Sequence, residues 1–431
     1  MESTQPGTTT LCPVYQASLL SPQAIALEDE NTSIDYATLD GLASGAMDQL
    51  DFLKEKTVTL LAKNSLSTYI LIIALYRLKI KTLLWHPKIP HPFPFFVIDP
   101  ELYRLEKKIS KRIEIHLDSI AFYFASSGSS GERKIICHSL ETLFNSAKST
   151  IKNYFIQEFS IFASLLPINH VGGFLIFIRS VLSLGKVTIG SNKNFDYVSF
   201  VPTQLIKLIK EKSPLLSHLK GCKKILVGGA LAHPFLIEQA KDLNLPISYT
   251  YGMTEMASQV TAGDLSIGFP LPNKSIRIDK DHEILVKGNS LFLGYGFNPI
   301  KSLNLDGYFA TKDLGHFDEK KGLTFLGRKD RQFTKGGENI CPEMIEAIIS
   351  KTEAKLFYVL GLEDMSYGHK IGCFIKPNTH FIQEKVNEAI LNQLGSFYRI
   401  DFFFDMPSDS GLKPSLPSLK ELGNRLINSL I

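Results

Sequence analysis

The sequence predicts an α/β protein: a large N-terminal domain of mostly parallel sheets with crossover helices plus a small antiparallel subdomain, and a small α+β C-terminal domain. Three observations carry this reading. From about residue 24, short apolar runs alternate with helical stretches, as in sheets built from strand–helix–strand units. Between residues 260 and 326 the segments shorten and become turn-rich, the mark of an antiparallel subdomain. Near residue 330 a dense charge run, Arg328-Lys329-Asp330-Arg331, breaks the pattern and divides the chain into residues 1–327 and 328–431. With 431 residues the chain also exceeds what one compact core accommodates.

Residues 1–15 read as a loose tail. Residues 24–28 and 33–36 read as paired strands, and 37–52 as a helix whose apolar stripe is Leu39, Leu42, Met47 and Leu50. A strand over 57–62 and a strongly apolar helix over 67–78 follow. Residues 85–94 contain Pro87, Pro90, Pro92 and Pro94, which remove donors and fix φ, so they read as a rigid surface loop. A strand precedes Ser126, a helix covers 139–153, and strands fall near 161–166, 185–189, 197–200, 223–228 and 247–250. In the last domain Pro342 stands where a helix begins, with Met344, Ile345, Ile348 and Ile349 on one face.

Composition excludes several classes. A net charge of +4, with lysines spread along the chain, gives no basic patch for nucleic acid. Five cysteines, an odd number without a C-x-x-C pair, argue against a disulfide framework and a zinc site, and fit a reducing cytoplasm. The longest apolar run, 69–76, is far short of the roughly 20 residues of a membrane span. The N-terminus is polar, not a leader. Neither nucleic acid nor membrane insertion is expected; a homo-oligomer stays open.

Chemistry concentrates where predicted strands end. Residues 121–125 are apolar or aromatic and run into Ser126-Ser127-Gly128-Ser129-Ser130-Gly131, which Glu132 and Arg133 separate from Lys134. Such a loop turns backbone N–H groups and hydroxyls toward phosphate oxygens, or is a flexible surface turn; the residues alone leave both open. Gly228-Gly229-Ala230 and Tyr251-Gly252-Met253-Thr254-Glu255 also follow apolar strands, and ligands bind beyond the carboxyl ends of parallel strands. The glycine pair admits a flat ring, Tyr251 offers a face for stacking, and Glu255 is an oxygen ligand suited to Mg²⁺. Asp313, before Gly315, is placed to accept ribose hydroxyls, with Arg328 as a further donor; a solvated turn acid is the plainer alternative. His170, beside Gly172-Gly173, is a candidate for orienting a carboxylate, although a loop histidine is more often uninvolved. Arg179 interrupts an apolar helix and needs an anion, either an internal acid or a ligand carboxylate. Lys413, in Pro407-Ser408-Asp409-Ser410-Gly411-Leu412-Lys413, signals nothing alone.

Together these motifs resemble the adenylate-forming superfamily of acyl- and aryl-CoA ligases over roughly residues 20–425. Ser126–Lys134 is similar to T-S-G-[ST]-[ST]-G-x-P-K. Y-G-x-T-E stands at Tyr251–Glu255, the acid of G-Y-x-x-T-x-D is Asp313, and G-R-x-D is Gly327–Asp330. Within it the chain looks most like the 2-succinylbenzoate–CoA ligases of menaquinone biosynthesis. The strings are Ser164–Gly173, Val201–Leu205, Tyr251–Val260 and Gly336-Gly337-Glu338-Asn339-Ile340. Two departures stand out: Arg133 replaces the proline of the phosphate loop, and Leu412 replaces the glycine before the lysine. The stretch between Pro90 and Ala121 is also shorter than usual.

The resemblance implies ATP, Mg²⁺ and coenzyme A as reactants or cofactors, with a carboxylic acid converted to an acyl-adenylate and then to a thioester. It implies that Ser126–Lys134 hold the outer phosphates and that Thr254 and Glu255 place the α-phosphate and Mg²⁺. Gly228, Gly229, Ala230, Tyr251 and Gly252 would frame adenine, with Asp313 and Arg328 on the ribose. His170, Arg179 and Ser258 would face the acid, and Lys413 would bridge carboxylate and α-phosphate. The small domain would be mobile, turning about Asp330 to bring Gly336–Asn339 over coenzyme A. The rivals are another acyl-CoA or acyl-carrier-protein ligase, and a nucleotide-binding protein without catalysis, which Arg133 and Leu412 leave open.

Overall fold

A computed structural model describes residues 8–127, 133–190, 194–230, 234–301, 303–304, 306–351, 356–376, 383–407 and 416–429. Two sheets dominate the part before residue 327. In the nine-stranded one, Ile25–Glu28, Lys186–Ile189, Ile161–Ser164, Tyr197–Phe200, Lys224–Val227 and Ile247–Met253 lie side by side, all parallel. Ser33–Asp35 closes one edge antiparallel, and Ser258–Gly263 and Phe269–Pro270 close the other. The six-stranded sheet has Phe96–Ile98, Thr57–Leu61, Lys81–Trp85 and Ile120–Ser127 parallel, then Arg133–Ser139 and Gly294–Tyr295 antiparallel.

Helices Tyr36–Leu50, Leu66–Arg77, Leu140–Asn153 and Val171–Leu182 share one buried cluster with both sheets. Phe122, Phe124 and Leu84 of the smaller sheet and Leu27 and Val187 of the larger belong to it. That double cover explains why Leu66–Arg77 is apolar nearly all round. Local signals set the starts: Asp35 accepts from Thr38 N at 2.6 Å, and the Ser65 and Ser139 hydroxyls accept from Thr68 N and Thr142 N. The single arginine of the apolar helix, Arg77, is buried against Asp40. Helices Pro202–Lys210, Leu215–Lys220 and Pro234–Asp242 cover the other face of the large sheet.

The expected antiparallel subdomain is the sheet Lys274–Ile278, Glu283–Gly288, Phe309–Asp318 and Gly322–Arg328. Residues 258–270, expected with it, instead extend the large sheet. The proline-rich loop is at the surface, yet its rings are packed: Phe93 and Phe95 meet Phe297 at 5.1 and 4.7 Å, and Phe93 meets Trp85 at 5.8 Å. Beyond Arg331, strands Leu356–Asp364, Gly368–Lys376 and Phe402–Asp405 form their own sheet. Helices Pro342–Ile349, Gln383–Leu394 and Leu416–Asn428 complete this α+β unit around separate cores. No described helix is long and apolar enough to cross a membrane.

Candidate nucleotide and acyl site

The carboxyl ends of the parallel strands collect the predicted residues. Lys224–Val227 and Ile247–Met253 are in register through Val227 and Tyr249, so Gly228 emerges beside Thr250. A Cβ on Gly228 would lie 2.2 Å from Thr250 Oγ1, and Gly229 has φ +82°; both positions require glycine. Gly252 is equally confined, since a Cβ there would stand 2.0 Å from Ser258 O.

Tyr251 is not an open stacking platform. Its ring is buried, and its hydroxyl donates to Asp313 Oδ2 at 2.7 Å. Arg328 donates to Asp313 Oδ1 at 2.8 Å and grips Asp330 with two further N–H groups at 3.1 and 2.8 Å. One guanidinium thus joins the candidate ribose acid to the candidate hinge acid. Burial raises the Asp313 pKa, although Tyr251 and Arg328 both pull it down. Gly327 lies against the small domain, where a Cβ would be 2.7 Å from Glu343 Oε2.

The strand Ile120–Ser127 enters the Ser/Gly loop and Arg133–Ser139 leaves it, with Ser126 opposite Lys134. Gly128, Ser129, Ser130 and Gly131 lie outside the described residues, as does Lys413. Lys134 Nζ stands 5.6 Å over the Tyr295 ring, and the Tyr295 hydroxyl donates to Glu255 Oε1 at 2.8 Å. Pairing of Tyr295 with Ile136 fixes that alignment. Arg133 lies 5.0 Å over Trp85, so the missing proline is replaced by a cation–π contact at the base of the loop.

The helix Val171–Leu182 and its N-cap carry two of the candidate acyl-side residues. His170 caps its N-terminus at the surface, and Gly172 approaches Ser258 Oγ, which a Cβ would meet at 3.9 Å. Nine residues further along, Arg179 is fully buried. Among the described residues no carboxylate forms an ion pair with it: Nη2 reaches Gln259 Oε1 at 3.5 Å and Nε has no partner. Burial brings its pKa down to about 10. The internal salt bridge considered for Arg179 is therefore absent among these residues. Gly336 and Gly337 form the turn between Phe333–Lys335 and Glu338–Ile340, the second of which contains Glu338 and Asn339, and Gly336 N donates to Tyr367 O at 2.8 Å within the small domain.

Sequence reasoning missed Tyr295, Gln259 and His138. Only Gln259 had a local signal, its place after Tyr251–Ser258. His138 is buried, with Nε2 2.8 Å from Thr254 O and Nδ1 2.9 Å from Thr142 Oγ1. The carbonyl can only accept, so Nε2 carries the proton and Nδ1 is an acceptor, sharing the Thr142 hydroxyl with Ser139 O, which lies 3.0 Å from it. Burial, above all, pushes its pKa down to about 4. The folded ring then binds fewer protons than the unfolded one as pH falls from about 6.5 to about 4. Stability present above that window is lost through it, by on the order of 3 kcal/mol. His138→Gln keeps a donor for Thr254 O without the titration. Its thermal midpoint, below the parent's at pH 7.5, should approach the parent's by pH 5; a constant gap would refute this account.

Comparison with known proteins fits this geometry. Residues 96–296 match the family described as AMP-binding enzyme. The chain is thus similar to the AMP-binding enzymes across the middle of its large domain. It is 28% identical over 313 residues to the 2-succinylbenzoate–CoA ligase of Escherichia coli K12, covering 69% of this chain and 67% of that one. The corresponding ligase of Listeria innocua is 27% identical over 431 residues, covering 88% and 91%. The o-succinylbenzoate CoA synthetase of Bacillus subtilis, solved with its acyl-adenylate intermediate, superposes with a TM-score of 0.84 at 23% identity over 96% of this chain and 98% of that one.

Proposed function

We propose that this adenylate-forming enzyme activates 2-succinylbenzoate with ATP and passes the acyl group to coenzyme A. The products are 2-succinylbenzoyl-CoA, AMP and pyrophosphate, made in the cytoplasm for menaquinone biosynthesis. The observation that carries the choice of acid is Arg179, a buried guanidinium with no acid partner among the described residues, at the inner end of a helix that starts beside Ser258. An uncompensated charge of that kind suits an acid with a second carboxylate.

In the first half-reaction the substrate carboxylate attacks the α-phosphorus and pyrophosphate leaves. Two anions must meet, so the residues act by positioning and by neutralising charge. Ser126 to Lys134 hold the outer phosphates, Lys413 spans carboxylate and α-phosphate, and Gly228, Gly229 and Ala230 line the base. Asp313, already oriented by Tyr251 and Arg328, accepts from the ribose hydroxyls. Glu255, whose carboxylate accepts from the Tyr295 hydroxyl and is oriented by it, would hold Mg²⁺, a hard cation. When bound, that ion neutralises phosphate charge. Residues 328–431 then turn about Asp330, withdrawing Lys413 and bringing Gly336–Asn339 to the adenylate, where the coenzyme A thiol displaces AMP.

Pyrophosphate release across a panel of aromatic and aliphatic acids tests this reading. The largest kcat/KM is expected with 2-succinylbenzoate, with AMP as the nucleotide product. ADP as product would remove the mechanism, and a preference for a monocarboxylate would remove the substrate.

A further inference from the structure

Lys274 opens the strand Lys274–Ile278, but its ammonium turns inward beneath the corner that follows Glu255. There it donates to the backbone oxygens of Met256, at 3.4 Å, and of Gln259, and to the Ser146 hydroxyl at 3.3 Å. The corner is a demanding one. Ala257 and Ser258 are consecutive non-glycine residues with φ of +48° and +84°. Lys274 grips the chain on both sides of that pair, and the Ser146 hydroxyl donates to Ala257 O between them.

The corner delivers Gln259 to the acyl side. Gln259 Oε1 accepts from Thr150 Oγ1 at 2.8 Å and lies 3.5 Å from Arg179 Nη2, while Gln259 Nε2 is buried with no partner. Lys274 and Arg179 therefore flank one residue, the first at its main chain and the second at its side chain. Neither meets a carboxylate among the described residues. The titratable groups that bear on the pair are each other, His138 of the strand Arg133–Ser139 and Tyr154, which follows the helix Leu140–Asn153; none is an acid that is ionised at neutral pH. Burial, and then the Arg179 charge, bring the Lys274 pKa down to about 7. Two cations held in a dry region without an anion repel one another, and an incoming carboxylate relieves both.

We propose that Lys274 is a specificity-determining positioning residue, which fixes the 256–259 corner and adds a second buried positive charge that selects acids carrying two carboxylates. This rests on the acid-activating reading above. It assigns Lys274 no contact with substrate.

The test measures pyrophosphate release with paired acids that differ by one carboxylate: 2-succinylbenzoate against 2-butyrylbenzoate, and adipate against hexanoate. The parent protein should favour the diacid of whichever pair it turns over. Lys274→Met should cut that preference at least tenfold, through the KM of the diacid, and Lys274→Arg should restore it. Loss of the same factor on both acids of a pair, or no rescue by arginine, would reduce Lys274 to a structural role and overturn the proposal. Should Lys274→Met not fold, the parent protein decides: the diacid KM should rise more than the monoacid KM between pH 6 and 8.5, and parallel profiles would overturn the proposal. Preference for adipate with no turnover of 2-succinylbenzoate would remove the substrate proposed above and leave the role of Lys274 standing. No diacid preference in either pair would sink the Lys274 reading itself.

Discussion

Lys413→Ala should lower acyl-adenylate formation by about 10³-fold, the scale of losing one preorganised charge at a reacting centre, while thioester formation from supplied acyl-adenylate changes by no more than a few-fold. The asymmetry follows from the charges. In the first half-reaction a carboxylate approaches a polyphosphate, and only a cation lying between them removes the repulsion. In the second the thiol loses its proton and attacks the acyl carbon, the acyl–oxygen bond breaks, and AMP leaves with one further negative charge; no anion has to be brought against a polyphosphate, so the demand for a cation at that place is smaller. Replacement of the expected glycine by Leu412 leaves the lysine and its spacing from Pro407 unchanged. Rapid-quench measurement of both half-reactions on the same variant checks this. Equal losses in the two would refute the division of labour between the small domain's faces.

The same division needs a hinge that responds to nucleotide, and Arg328 supplies a physical link. Its guanidinium is shared between Asp313 and Asp330, so under the proposed roles a ribose hydrogen-bonded to Asp313 would compete for the group that also steadies Asp330. Gly327, with no room for a Cβ against Glu343, keeps the two domains in contact at this point. Arg331 anchors the far side through Glu343 and Glu346, at 3.0 and 2.7 Å. Under the proposed roles, nucleotide and hinge would meet at Arg328.

Strands and helices were legible because burial on two faces leaves a strong mark. The helix Leu66–Arg77 and the parallel strands have few polar positions, and their ends fall within one to three residues of the sequence reading. Residues 258–270 were assigned to the wrong sheet because short turn-rich strands carry no signal for their partner; pairing of Thr261 with Pro270 and of Tyr251 with Thr261 decides it. Gly228 and Gly252, beyond strand ends, were legible as places of close approach, since a Cβ there would stand 2.2 Å from Thr250 Oγ1 and 2.0 Å from Ser258 O. The site's supporting groups were less visible. His138 reads as one polar residue in an apolar strand, and Tyr295 as one aromatic in a loop. Each acquires meaning only when a second strand sets it beside Thr254 or Glu255. Tyr251 was read from its type as a stacking ring, whereas its neighbours bury the ring and direct its hydroxyl to Asp313.

Arg179 is where sequence and structure meet most directly, and Arg179→Ala should cost at least about 100-fold in kcat/KM for 2-succinylbenzoate against only a few-fold for 2-butyrylbenzoate. The size follows from the protein interior: a buried charge pair broken from one side costs about 3–5 kcal/mol, of which part returns as water enters the vacated space. The direction follows from the partners present. Gln259 Oε1 at 3.5 Å is too weak an acceptor to hold a guanidinium, and Nε has no partner among the described residues. Arg179→Lys should recover part of the loss, because an ammonium keeps the charge and gives up the planar fork that matches a carboxylate. Steady-state kinetics on the two acids checks both variants. An equal loss on diacid and monoacid would show that Arg179 shapes the pocket without reading its ligand, and the acid would then have to be sought among monocarboxylates.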